Sequence, residues 1–203
     1  MSCEAKTVFE SIEACPGKTI LPGIRRRIYF IPKAHIARFP KLKDPGDTGV
    51  AMGDLAVYDG DFTLVEGKYF QFMDLKDEAS NVTFETVGEN GSHLVNNVAN
   101  AIIAGMEDAV KGFARQVLNT DMVYVYQQRD GKFCVIGNEM FETHTAPAGD
   151  TGAEATAATQ TTFAINCNDA CPVPTYTGKL PISATTRIDC ATGEEEVIPG
   201  GNG

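Results

Sequence analysis

Apolar residues recur along this chain with two periods, and the two meet between Met106 and Phe141. Met106, Ala109, Val110, Phe113, Val117 and Leu118 fall three and four residues apart, which puts them on one face of a helix over MEDAVKGFARQVLN. Glu107 and Asp108 occupy its first turn, where the helix dipole favours negative charge. Asn119-Thr120-Asp121 ends it. DMVYVYQQ is β-branched and aromatic and predicts a strand. Arg129-Asp130-Gly131 then predicts a tight hairpin turn, with KFCVIGN as the return strand. A helix feeding a hairpin is the expected nucleus to which other strands are added.

Elsewhere the period is mostly two. IRRRIYFI alternates Ile24, Arg26, Ile28 and Phe30 with Arg25, Arg27, Tyr29 and Ile31, and Pro32 stops it. Arginine on both faces predicts an edge strand or one lying against another chain. Residues 32–61 are rich in proline and glycine yet carry Ile36, Phe39, Leu42, Val50 and Met52, so the stretch reads as a docking loop. DFTLV and KYFQFMDLK flank a Glu66-Gly67 turn, with Phe70, Phe72 and Asp74 on one face and Tyr69, Gln71, Met73 and Leu75 on the other. VTFETVGEN sets Thr83, Glu85, Val87 and Glu89 against an inward row of Val82, Phe84 and Thr86. HLVNNVANAII fits either period, but its asparagines and the bracketing Gly91 and Gly105 favour strand. QTTFAINCN is the last core strand, and TRIDCATGEEEVIP is a short hairpin or a tail. Segments 43–53, 146–159 and 199–203 read as loops or mobile ends. The expected organisation is one mainly β domain over 1–203 with one flanking α-helix, an N-terminal arm 1–23 and a flexible C-terminal end 191–203.

Charge adds a second pattern. The chain carries a net −10, yet Lys18, Arg25, Arg26, Arg27, Lys33, Arg38, Lys41 and Lys43 occur with no acid between them. A basic stretch on an acidic body suits head-to-tail self-association, with a solvated basic strand face as the plainer alternative. Cys3, Cys15, Cys134 and Cys190 are scattered, and Cys167-Asn168-Asp169-Ala170-Cys171 lacks zinc-knuckle spacing, so free thiols are expected. No secretory signal pattern and no apolar run of roughly 20 residues is visible, which predicts a soluble protein made in a cytoplasm, with no membrane anchor.

The chemistry of the common enzyme classes is missing. There is no phosphate loop and no GxGxxG. His35, His93 and His144 have no metal-ligand spacing, and neighbouring Ser92 and His93 would point apart on a strand. Asp59 and Asp61 could share a face and hold a cation, though a solvated turn explains them as well. No catalytic, cofactor or metal residue is nominated, and no enzyme is expected.

Three stretches carry a family resemblance. QQRDGKFCVIGNEMF, PGIRRRIYFIPK and GDFTLVEGKYF, in their order and spacing, resemble the tail-tube (major tail) proteins of long-tailed phages, particularly those in prophages of Bacteroides-type bacteria. The resemblance implies a β-sandwich subunit with a flanking helix. Six subunits form a ring, rings stack into a tube with other tail proteins, and the inner sheets close into a barrel around a channel that conducts DNA. The location implied is the virion tail, assembled in the bacterial host cytoplasm. On that picture Arg25, Arg26, Arg27, Phe39, Leu42, Val50 and Met52 act between subunits, with 32–61 as the inter-ring loop. Glu85 and Glu89 line the channel, where an acidic wall would let phosphates slide without sticking. The dense basic stretch and the low-complexity 146–159 segment depart from the family pattern. Two other readings compete: the tube of a contractile injection or secretion system, and a small nucleic-acid-binding module using 18–43, with Tyr29, Phe30 and Phe39 stacking on bases. A small enzyme or carbohydrate-binding sandwich is a third, for which no site is visible.

Overall fold

The computed structural model describes residues 7–198. They form a mainly β fold with one α-helix, in several sheets of which none closes into a barrel. Eight strands precede the helix: β1 (Ile24–Pro32), β2 (Ile36–Arg38), β3 (Lys41–Leu42), β4 (Val57–Asp59), β5 (Thr63–Leu64), β6 (Gln71–Asp74), β7 (Asn81–Val87) and β8 (Leu94–Ala104). Helix α1 spans Asp108–Val117. After it come β9 (Met122–Gln128), β10 (Phe133–Ile136), β11 (Thr143–Asp150), β12 (Gln160–Asp169), β13 (Thr175–Tyr176), β14 (Lys179–Pro181), β15 (Thr186–Asp189) and β16 (Glu194–Val197). The largest sheet runs β3-β4-β13-β10-β9-β1-β6, a second runs β11-β12-β8-β7, and smaller ones are β14-β15-β16 and β2-β5.

The seven-stranded sheet is the middle layer because its central strands are apolar on both faces. Met122, Tyr124 and Tyr126 point to one side, into a core shared with Ala99, Phe163 and Ile165 of the four-stranded sheet. Val123 and Val125 point to the other, into a core closed by Leu180 and Ile188 of the three-stranded sheet and by Phe62 and Phe70. Two of the buried phenols are hydrogen-bonded: Tyr124 Oη pairs with Thr145 Oγ1 at 2.8 Å, and Tyr176 Oη donates to the Lys179 carbonyl at 2.8 Å. The hairpin joining β9 to β10 turns at Gly131, whose φ of +101° favours glycine. Gly137 ends β10 at φ +115°, and a Cβ there would stand 3.0 Å from the Met122 carbonyl oxygen.

Helix α1 plugs the side of the sandwich. The Phe113 ring lies 4.6 Å from Phe30 and 5.2 Å from Phe163, so it bridges the two large sheets. Val117 is buried, and Val110 and Ala114 pack beside it. Of the expected apolar face, Ala109 is exposed and Leu118, just past the helix, is 58% exposed. Lys111 pairs with Asp108 at 2.6 Å on the solvent side.

Several expectations need correction. Strand β1 is not at an edge: β9 flanks it on one side and β6 on the other. Its register against β9 jumps from Ile24–Gln128 to Ile28–Tyr126, so the chain bulges away from β9 at Arg25–Arg27. That bulge lets a strand with three successive arginines lie inside a sheet without burying a charge. Segment 32–61 is not structureless, since it supplies β2, β3, β4 and two 3-10 turns, at Lys33–His35 and Met52–Ala56. Strands β5 and β6 do not pair with each other; β5 joins β2 and β6 joins β1. Phe84, expected inside, is 61% exposed, because β7 is an end strand that runs past the cover of the central sheet. Residues 146–150 belong to β11, so only 151–159 turn the chain. The expected flexible end holds β16, paired along its length with β15; residues 199–203 lie outside those described.

Phe163→Ala removes the side chain that joins both sheets and the helix, and should cost about 3–5 kcal/mol. Urea unfolding should show a large fall in midpoint with an unchanged slope.

Candidate assembly surfaces and channel face

The arginine triplet divides in two. Arg27 is already paired within its own chain: Nε donates to Asp74 Oδ1 at 2.7 Å and Nη2 to Oδ2 at 3.2 Å, across the β1–β6 register. Its guanidinium also lies 3.9 Å from the centre of the Phe72 ring. The contact holds the Asp74 carboxyl below its ordinary pKa. Both partners are largely exposed, so the pair contributes only about 0–1 kcal/mol. Arg27 therefore has its carboxylate at home, contrary to the expectation of a partner on another subunit. Arg25 and Arg26 are exposed and make no ion pair among the described residues. The base-stacking candidates are committed elsewhere: Tyr29 is buried, Phe30 packs on Phe113, and Phe39 meets Phe62 edge to face at 5.6 Å. Lys33 is held as well, 3.1 Å from Asp121 Oδ2 and 2.9 Å from the Phe141 carbonyl.

The apolar residues of 32–61 also divide. Phe39 and Leu42 pack against the second core, whereas Val50 and Met52 are half-buried and belong to neither core. Beside Phe39 and Leu42 opens a cavity of about 550 Å³, lined also by Leu55, Tyr58 and Met140, with Lys41, Lys43, Asp44 and Glu139 on its wall. One side of it is the turn at 169–171, which is built from buried polar groups. Asp169 Oδ1 accepts from the Ala170 and Cys171 amides, Asn97 bonds the Cys171 carbonyl and the Val173 amide, and Asn138 Nδ2 donates to the Asn168 carbonyl. Cys167-Asn168-Asp169-Ala170-Cys171 is thus a structural turn. Asp169 Oδ2 has no hydrogen-bond partner among the described residues, and burial raises the pKa of its carboxyl.

The four-stranded sheet has one covered and one open face. Its open face carries Asn81, Thr83, Glu85 and Val87 from β7, and their cross-strand partners Asn100, Val98, Asn96 and Leu94 from β8. Strands β12 and β11 extend it with Thr162, Ala164, Asn166, His144, Ala146 and Asp150. No lysine or arginine lies in these four strands; Lys76 reaches the rim, bonded to Gln160 at 3.1 Å. Glu85 is exposed on this face, but Glu89 falls outside β7, in the turn closed by the Ser92 amide. The face thus mixes amides and threonines with Leu94, Val98, Ile102 and Val87, and is only mildly acidic. Both end strands, β7 and β11, lack an outer partner among the described residues.

No protein-family model matches the chain, and neither a curated protein nor a solved structure does.

Among the described residues, Cys15, Cys134, Cys167, Cys171 and Cys190 are free thiols, and burial raises the pKa of Cys134 and Cys171 to about 11. No group of three metal-binding side chains occurs among them, and none of their helices is long and apolar enough to cross a membrane. Asp61 accepts from the Lys179 amide at 2.7 Å, which accounts for that carboxylate without a cation. Sequence reading missed Asn97, Asn138 and Asp169, whose partners lie far along the chain. It also missed the ion network of Lys179, Asp189, Glu196 and Arg187 on the three-stranded sheet. The polar run TRID…EEEV was the available hint of the latter.

Because the folded pKa of Asp169 is raised, the native state holds the extra proton between the unfolded value and the folded one, and stability falls as pH rises through that window. Asp169→Asn should therefore unfold at higher urea than the parent at pH 7, and the two should converge below the ordinary aspartate pKa.

Proposed function

We propose that this chain is a structural subunit of a phage-type tail tube, forming hexameric rings that stack around a channel for DNA. The observation that carries the reading is the four-stranded antiparallel sheet with both ends open and an uncovered face whose strands hold no lysine or arginine. An even strand count makes β7 and β11 run in opposite directions, so copies related by rotation can add edge to edge and stay antiparallel throughout. Closing the ring removes strand edges that would otherwise aggregate. Six such sheets at about 4.8 Å per strand make a circumference of roughly 115 Å and a backbone diameter of roughly 37 Å. That leaves room for a duplex inside a layer of short side chains. A face without lysine or arginine offers DNA phosphates no counter-charge, so it favours sliding over binding. The resemblance of QQRDGKFCVIGNEMF and its companion stretches supports the same reading. A protein-conducting tube would share the architecture, but a lining whose strands carry no lysine or arginine suits a polyanionic cargo better.

The nucleic-acid-module reading is weaker, since Arg27 and Lys33 are paired within the chain and Tyr29, Phe30 and Phe39 are packed. In the tube reading Arg25 and Arg26 remain available to carboxylates of a neighbouring subunit.

Negative-stain microscopy and native mass measurement on the purified chain should show rings of six copies and tubes of uniform width. Duplex DNA should bind little at physiological salt. Arg25→Ser with Arg26→Ser should reduce assembly and leave the unfolding midpoint nearly unchanged. Monomers alone at every concentration, or tight DNA binding abolished by the double substitution, would overturn the reading.

A further inference from the structure

The two free edges of the four-stranded sheet present different groups. Strand β7 ends the sheet on one side and β11 on the other, with β8 and β12 between them. Within these strands the open face carries two acids, Glu85 and Asp150, and one side chain able to hold positive charge, His144. Glu85 lies on β7 and His144 on β11, and both are exposed. On the inner face, Phe84 of β7 is uncovered. At the far edge Leu118, just past helix α1, is exposed and lines a cavity with Thr145 and Ala146 of β11. Each edge therefore holds one half of a polar pair on the outer row and one half of an apolar pair beneath it.

Few registers can join these edges. A slip of one residue would turn the inner row of one copy to the outer face of the next, so the choice runs in steps of two. On β8, Ile102 donates to the Ser80 hydroxyl and accepts from the Lys76 amide, so its even-numbered residues turn their backbone groups towards β7. By antiparallel alternation, Val82, Phe84 and Thr86 turn theirs to the open edge. Pro147 has no N–H to give β12, which places Thr143, Thr145 and Pro147 on the open edge of β11. Inner-row residues therefore meet as hydrogen-bonded pairs, Pro147 contributing its carbonyl alone. Outer-row residues meet as the closer pairs without backbone bonds, their Cα atoms about 4.5 Å apart.

We infer that β7 of one copy pairs with β11 of the next in the register that sets Glu85 opposite His144, Thr83 opposite Ala146 and Phe84 opposite Thr145. The inference rests on the proposed ring and names the residues that meet at its junction. Residues 81–86 then lie along 143–148, so most of both strands is used. The Glu85 carboxylate accepts from the His144 imidazole, which keeps an N–H in either protonation state. Phe84 comes beside Leu118, and both lose contact with water. Glu142 falls opposite Val87, diagonal to Glu85, and Asp150 falls beyond Asn81, so no acid stands directly opposite another. Sliding by two residues one way sets Glu85 against Glu142, a like-charge pair. Sliding the other way sets Glu85 against Ala146, His144 against Val87 and Phe84 against Pro147, and both favourable contacts are lost.

The test uses two variants of the full-length chain, both carrying Cys3→Ser and Cys15→Ser. On mild oxidation, Thr83→Cys with Ala146→Cys should link copies into a disulfide ladder of up to six chains on a non-reducing gel. Thr83→Cys with Ala148→Cys should link few. Within one chain the introduced thiols sit on opposite end strands, roughly 14 Å apart across the sheet, too far for an internal bond. His144→Glu should weaken association by about threefold per junction, and adding Glu85→Lys should restore it, with the unfolding midpoint unchanged in both. A ladder from the Ala148→Cys variant in place of the Ala146→Cys one would overturn the register. So would rings that form normally while neither variant gives a ladder; both results leave the tube reading standing. The Ala146→Cys ladder without closed rings would uphold the junction and sink the ring. Monomers at every concentration would sink both.

Discussion

A strand that is apolar on both faces cannot lie at a surface, and β9 is such a strand. Met122 through Tyr126 are buried without a break. One face of the central sheet therefore needs the four-stranded sheet and helix α1, and the other needs the three-stranded sheet with the Phe62–Phe70 region. Burial at about 25 cal/mol per Å² makes such double cover the dominant stabilising term. The layers follow from it. So does the position of the helix, whose Phe113 fills the gap between Phe30 and Phe163 where two twisted sheets diverge.

Double cover also decides what remains outside. Once the inner rows of β8 and β12 are spent on the core, their outer rows form one open wall in which Asn96, Asn100, Thr162 and Asn166 are mixed with Leu94, Val98, Ile102 and Ala164. The end strands β7 and β11 are left without outer partners among the described residues. On the opposite flank, the short strand β3 and the turn at 169–171 frame an apolar cavity. The turn is held because Asn97 bonds the Cys171 carbonyl and the Val173 amide, while Asn138 joins the Asn168 carbonyl to the Met140 and Phe141 amides. Buried polar groups of this kind cost stability unless satisfied, and here they exchange that cost for a fixed turn geometry.

The basic stretch shows how tertiary context reassigns charge. Read along the chain, Arg25, Arg26 and Arg27 are equivalent. In the fold a bulge turns all three away from the core, then Asp74 on β6 takes Arg27 alone. Lys33 is likewise taken by Asp121. The charge left for a partner is smaller than the sequence count suggests: Arg27 and Lys33 are spent within the chain, while Lys18, Arg25, Arg26, Arg38, Lys41 and Lys43 make no ion pair among the described residues.

Side-chain period is a local property, and for that reason the sequence by itself determined the mainly β class, helix α1 and the β9–β10 hairpin with its Gly131 turn; β8 fits either period, and its asparagines and bracketing glycines, not the period, marked it as a strand. The same locality explains the split of Thr83 and Glu85 from Val82 on β7. It could not reveal the order of strands in a sheet, because that order depends on contacts between residues tens of positions apart. Hence the interior place of β1, the joining of β5 to β2 instead of β6, and the inclusion of 146–150 in β11 appear only in the folded chain. The exposure of Phe84 and the packing of Phe39 and Leu42 into their own core have the same origin, since burial is set by what lies opposite a residue and not by its neighbours.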